Sequence, residues 1–207
     1  MAPVPPTTRV LLFDVGGVLA TNGWDRESRR RSADAFGFDW EEFQNRHELV
    51  SHDFETGRLD LAGYLERTLF YRERPFPRQD FIEFMMGRTK PFSDSLAIVA
   101  EVAAKDQYLL ATLNNESREL NEHRIETLGL TENFSIFLSS CYLGVRKPEP
   151  EIYRIAIDIT QHAPDECLFI DDRSLNLECA TREGMRTIHF NDAAGLRADL
   201  AKEGILA

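Results

Sequence analysis

Cysteine is scarce, with three in 207 residues. Cys141, Cys167 and Cys179 show no metal-ligand spacing. Cys167 lies in an apolar run and Cys179 in a helical pattern, so they read as buried, reduced thiols rather than a redox device. Long apolar runs are missing too: none approaches the roughly 20 residues that a membrane-spanning helix needs. The stretch Met1–Arg9 lacks the apolar region of a secretory signal and reads as a short loose tail, which makes the cytoplasm the expected location. Positive charge is in deficit, with 24 Lys and Arg against 35 Asp and Glu, a net charge of −11. Such a surface repels nucleic acid and anionic lipid, so neither is an expected partner. An anionic substrate would need a local pocket of positive charge, supplied by a metal or a few basic residues.

Hydrophobic residues make up 43% and charged residues 29%, in a chain long enough for one sizeable core and a small accessory domain. Five short apolar runs read as strands: 9–13, 108–113, 134–138, 167–170 and 186–190. Four are near-continuous, as strands buried on both faces of a parallel sheet should be. Helical periodicity fills 93–105, 117–127, 150–160 and 174–184. Strands alternating with helices give an open, mostly parallel α/β sheet. Residues 19–90 differ, with no convincing strand and four helical segments at 25–36, 39–51, 60–71 and 77–88. Asp39 and Asp60 read as N-caps and Pro77 as a first-turn proline. This is an all-helical insertion directly after the first strand.

Polar residues cluster where these strands end. The first runs into Asp14-Val15-Gly16-Gly17, an aspartate at the strand edge where open α/β sheets place ligands, followed by glycines that allow a tight turn. The bland alternative is an Asp-turn. The fourth strand runs into Asp171-Asp172, an acidic pair that either caps the next helix or binds a hard cation such as Mg²⁺. Lys147 stands before a proline at a helix start. The second strand ends in Thr112-Leu113-Asn114-Asn115, able to hold an anion at the next helix N-terminus or simply to cap it.

In this order the four sites resemble the haloacid dehalogenase superfamily, in the branch with a helical cap after the first motif, which includes sugar-phosphate phosphatases. The resemblance implies a Rossmann-like doubly wound parallel sheet built from residues 1–20 and 91–207, and a cap over 21–90. It makes Asp14 the nucleophile and Lys147 the third-motif lysine. Mg²⁺ would be held by Asp14, the Gly16 carbonyl and Asp172, with Asp171 acting through water. Thr112, Asn114, Asn115, Gly17 and Lys147 are the candidate substrate contacts. The stretch 54–59 is similar to a recurrent cap signature, and Trp24, His47, Glu55 and Arg58 are cap candidates for the site. Arg29, Arg30 and Arg31 read as a solvated helix face, and Phe81, Phe84 and Met85 as cap core.

Two positions depart from the family pattern. The acid/base aspartate usual two residues after the nucleophile is Gly16 here. The usual Ser or Thr of the second motif is displaced: either Leu113 fills its slot with Asn114 in register, the favoured reading, or Thr112 serves after a one-residue shift. The expected activity is a Mg²⁺-dependent phosphatase acting on a small phosphorylated metabolite, by a monomer or homodimer. The alternatives are a 2-haloacid dehalogenase-type hydrolase and a non-catalytic binding module on the same fold.

Overall fold

The computed structural model describes residues 7–206. Most of the tail read from Met1–Arg9, namely Met1–Pro6, lies outside them. Five strands, β1 (Val10–Phe13), β2 (Leu109–Asn114), β3 (Ile136–Ser139), β4 (Cys167–Asp171) and β5 (Arg186–His189), form one parallel sheet in the order β3-β2-β1-β4-β5. Side chains alternate across a strand. Accordingly Leu11 and Phe13 of β1 enter one apolar core, while Val10 and Leu12 enter the other. The first core is closed by α5 (Ser93–Ala103) and α10 (Ala193–Lys202), the second by α8 (Pro150–Thr160) and α9 (Ser174–Arg182). Helices on both faces explain why the strands read as continuous apolar runs.

Between β1 and α5 run α1 (Arg26–Phe36), α2 (Trp40–Glu55), α3 (Leu61–Thr68) and α4 (Arg78–Met86). Asp39 and Asp60 cap α2 and α3, accepting from the backbone N–H groups of Glu42 and Gly63. Pro77 stands one position earlier than the sequence suggests, as the N-cap of α4, without a side-chain bond. These helices enclose a separate aromatic core containing Trp24, Phe43, Tyr64, Phe81 and Met85, with Phe84 packed against it. Leu120 of α6 (Arg118–Thr127) joins that core from the sheet side. The two connections into this segment pair with each other, Thr21 N–H donating to the Lys90 carbonyl at 2.9 Å. The remaining helix is the short α7 (Ser140–Leu143).

The order places β1 between β2 and β4, with Phe13 opposite Thr112 on one side and Ile170 on the other. The chain leaves β1 toward β2 and β3, then returns to β4 across β1. The crevice at this reversal, outside the carboxyl ends of the strands, is where open parallel sheets bind ligands.

Candidate active site

Asp14 follows β1 directly. It is buried, and its Oδ1 accepts from the Val15 N–H at 2.7 Å. Burial raises its carboxyl to about 6, against the opposing charge of Lys147. The Lys147 ammonium is itself buried, 3.0 Å from Asp14 Oδ1 and 2.7 Å from Asp171 Oδ2. Asn115 fixes the backbone of Lys147 from both sides, donating to its carbonyl and accepting from its N–H, each at 2.8 Å.

The two acids at the end of β4 have different surroundings. Asp171 is fully buried and fully engaged by Lys147, the Arg173 N–H and the Asn176 amide. Asp172 has a buried Oδ1 with no partner among the described residues. One oxygen from each of Asp14, Asp171 and Asp172 lies within 4.8 Å of the others. Three carboxylates share one buried lysine, an arrangement costly without further positive charge. A hard divalent cation fits this donor set and would give the Asp172 oxygen its missing partner. Above it lies a cavity of about 500 Å³, walled by Asp14, Gly16, Asn115 and Lys147 on the sheet side and by Trp24, His47 and Glu55 on the helical side.

The model of haloacid dehalogenase-like hydrolases matches residues 8–181. The chain belongs to this family. It is 29% identical over 197 residues to flavin mononucleotide hydrolase 1 of Arabidopsis thaliana, covering 95% of this chain and 78% of that protein. A predicted hydrolase of the family from Porphyromonas gingivalis has the same fold, with a TM-score of 0.76 at 21% identity, over 95% of this chain and 97% of that one. A family enzyme from Bacteroides thetaiotaomicron, solved with magnesium and inorganic phosphate, gives 0.73 at 20% identity, over 89% and 94%.

In this hydrolase the candidates from the sequence separate into two groups. Asp14, Gly16, Asn115 and Lys147 line the cavity, and so do Trp24, His47 and Glu55. Thr112 and Asn114 do not. Thr112 is buried in the sheet, and Asn114 turns into the core toward Asn121 and Ser139. Side chains two apart on a strand share a face, so both are directed away from the reacting edge together. The Gly17 N–H is taken by the Ala20 carbonyl at 2.7 Å. What Gly17 provides is space: it has a φ of +83°, and a Cβ there would overlap the Asp172 carboxylate. Arg58 is exposed and pairs with Asp53 at 3.7 Å, away from the cavity.

Among the cavity residues that the sequence reading did not assign to the site are Glu116, Arg124 and Arg29. Glu116 and Arg124 form a buried ion pair at 3.1 Å. Burial raises Glu116 to about 7, against the Arg124 charge. The Arg124 guanidinium lies against Gly16 and Gly23, and a side chain at Gly23 would collide with it. The third is Arg29, buried in the cavity wall rather than solvated, whereas Arg30 and Arg31 are exposed with i,i+4 acidic partners.

Proposed function

We propose that the chain is a Mg²⁺-dependent phosphatase of small phosphorylated metabolites, working through an aspartyl-phosphate on Asp14. The observation that carries this reading is the three-carboxylate cluster with its unpartnered Asp172 oxygen. The magnesium and phosphate in the Bacteroides enzyme and the name of the Arabidopsis relative support it. Asp14, the Gly16 carbonyl and Asp172 would hold Mg²⁺, which when bound supplies positive charge between the carboxylate and the phosphate. Asp14 attacks phosphorus, the bond to the leaving oxygen breaks, and water then attacks phosphorus to release phosphate and restore Asp14. Lys147 orients Asp14 and neutralises a phosphate oxygen, Asn115 holds Lys147, and Asp171 keeps its ammonium in place. Of the described residues, 7–20 and 91–206 form the core and 21–90 the cap, which excludes bulk water and selects the substrate. Among the described residues no helix is long and apolar enough to cross a membrane.

The two acids should then respond differently. Asp172→Ala should raise the Mg²⁺ concentration for half-maximal activity by about tenfold or more, with little change in melting temperature. Asp171→Ala should chiefly lower the melting temperature, because it strips Lys147, Asn176 and the Arg173 N–H of their acceptor. Magnesium titrations and thermal melts of both variants check this. Equal loss of metal response in the two would contradict the assigned ligand set.

Gly16 has no proton to give. General acid–base assistance is worth about 10²–10⁴ in rate, so turnover should favour esters whose oxygen departs unprotonated. Aryl, acyl and anomeric sugar phosphates qualify, and sugar-1-phosphates are the physiological class we favour. Gly16→Asp should then improve primary alkyl phosphates more than aryl phosphates. The backbone tolerates a side chain there, since its φ is not positive; Asn22 at 3.1 Å and Arg124 at 3.2 Å from the new Cβ must shift slightly. A leaving-group series on wild type and variant tests the point. A flat series for wild type, with chemistry rate-limiting, would mean that another group such as Glu116 supplies the proton.

A further inference from the structure

The cavity is basic in an acidic protein: six cationic side chains line it against four carboxylates. Most of those cations are accounted for. Lys147 pairs with Asp14 and Asp171, Arg124 with Glu116, and Arg146 with Glu55 at 2.8 Å. Arg26 and Arg173 are exposed, so water solvates them. Arg29 is different. It is only 8% exposed, and among the described residues it makes no ion pair. Its acceptors are neutral: the Gln44 Oε1 at 3.1 Å from Nε, and the Trp24 carbonyl at 2.6 Å from Nη1. Glu48 orients Gln44, accepting from its amide at 2.9 Å. The guanidinium is thus held in place, while Nη2 keeps no partner among the described residues. The nearby acids are occupied, Glu55 by Arg146 and Asp25 by capping Ser28. A buried cation with no direct ion pair is costly: burial lowers the pKa of Arg29, and the more distant charges of Asp25 and Glu55 only oppose that shift.

His47 lines the same wall and is also a donor. The Trp24 Nε1–H can only donate, and the Tyr64 oxygen accepts it at 2.9 Å. The Tyr64 proton is then available to His47 Nδ1, also 2.9 Å away. With that bond the ring proton sits on Nε2, which has no acceptor among the described residues. Burial and the Arg29 charge keep the ring neutral, with a pKa pushed down to about 3. The helical wall thus presents a guanidinium edge outside any ion pair and an imidazole nitrogen, beside two acids, Asp25 and Glu55, that are engaged elsewhere.

We propose that Arg29 and His47 form a second anion-binding pole, which takes a carboxylate or phosphate that the substrate carries apart from its reacting phosphoryl group. Within the activated esters favoured above, the substrate class narrows to those with a second anionic group: a phosphorylated acid or a bisphosphate, such as a sugar-1-phosphate that carries a further phosphate or carboxylate. This rests on the phosphatase reading for which end reacts, but the pole itself is tested by binding alone. Titration calorimetry of the full chain with Mg²⁺ would compare propylphosphonate with its analogues bearing a terminal carboxylate or a terminal second phosphonate. None can be hydrolysed. Wild type should bind at least one doubly anionic analogue about tenfold or more tightly than propylphosphonate, and the better of the two identifies the anion. In Arg29→Gln the gain should fall to within about twofold. Arg29→Lys, which keeps charge but loses the planar fork, should retain only part of it, and it decides the matter if melts show that the glutamine variant does not fold. Equal affinities for all three ligands in wild type, or a gain that survives both substitutions, would overturn the proposal. A chain inert toward aryl phosphates that still shows the gain would retire the phosphatase reading and leave the anion pole standing.

Discussion

Replacing Asp14 with Asn should lower turnover by at least about 10⁴-fold while the chain stays folded. The substitution removes the attacking oxygen's charge with almost no change in size. The rest of the site has reason to persist, since Lys147 keeps Asp171 at 2.7 Å and Asn115 still holds its backbone. It also removes a carboxylate that burial already disfavours. Steady-state assays with an aryl phosphate, beside a thermal melt, measure both effects. The preparation must be free of deamidated protein. Wild-type-like turnover would end the covalent mechanism.

The second large effect is expected at Lys147. Lys147→Ala leaves Asp14 and Asp171 facing each other without their shared cation. Activity should fall by about 10²–10³, and stability by about 3–5 kcal/mol, as when one partner of a buried pair is removed. The stability loss should depend on pH in a defined direction. Burial already raises Asp14 from 3.8 to about 6, with Lys147 opposing the rise. Without Lys147 it goes higher still. Over that interval the folded state binds more protons than the unfolded one, so stability falls as pH rises. The deficit relative to wild type should therefore be small below about pH 6, where Asp14 is protonated in both folded proteins, and grow as the pH rises above 6. Thermal melts across this range, in chelator so that metal does not mask the carboxylates, measure it. A pH-independent deficit would show that Lys147 acts by packing rather than by charge.

The fold was legible because its signals are local. Strands β1 and β4 are buried on both sides, so they appear as the unbroken apolar runs 10–13 and 167–170. Asp39 and Asp60 mark helix starts because their side chains accept from backbone groups three residues on. The helix α10 went unread although its signals are present: Asp192 caps it, and Leu196 and Leu200 form its buried stripe. The sequence brought Asp14, Lys147, Asp171 and Asp172 to one sheet edge, where the structure also has them, but it missed Glu116, Arg124 and Arg29 and the register of the second strand's end. Asn114 and Asn115 are adjacent in sequence, yet one turns into the core and the other binds Lys147, because β2 ends between them. Spacing alone cannot locate that boundary.

The arginines at 29–31 fail for a related reason. Successive residues on a helix are about 100° apart, so three in a row cannot share one face, and Arg29 points inward. The Glu116–Arg124 pair depends on how α6 packs over the loops after β1, and no periodicity records that. What remained hidden in the sequence is an arginine packed against Gly16 and a buried arginine outside any ion pair in the opposite wall.

The most direct test of the central claim is turnover of an aryl phosphate and of 2-chloropropionate, each with Mg²⁺ and with excess chelator, on one preparation of the wild-type chain. Phosphate release that requires Mg²⁺ and stops in chelator, with no chloride release in either condition, is the predicted result. Chloride release that is indifferent to chelator, with phosphate esters untouched, would contradict it and make Asp14 a nucleophile toward carbon instead.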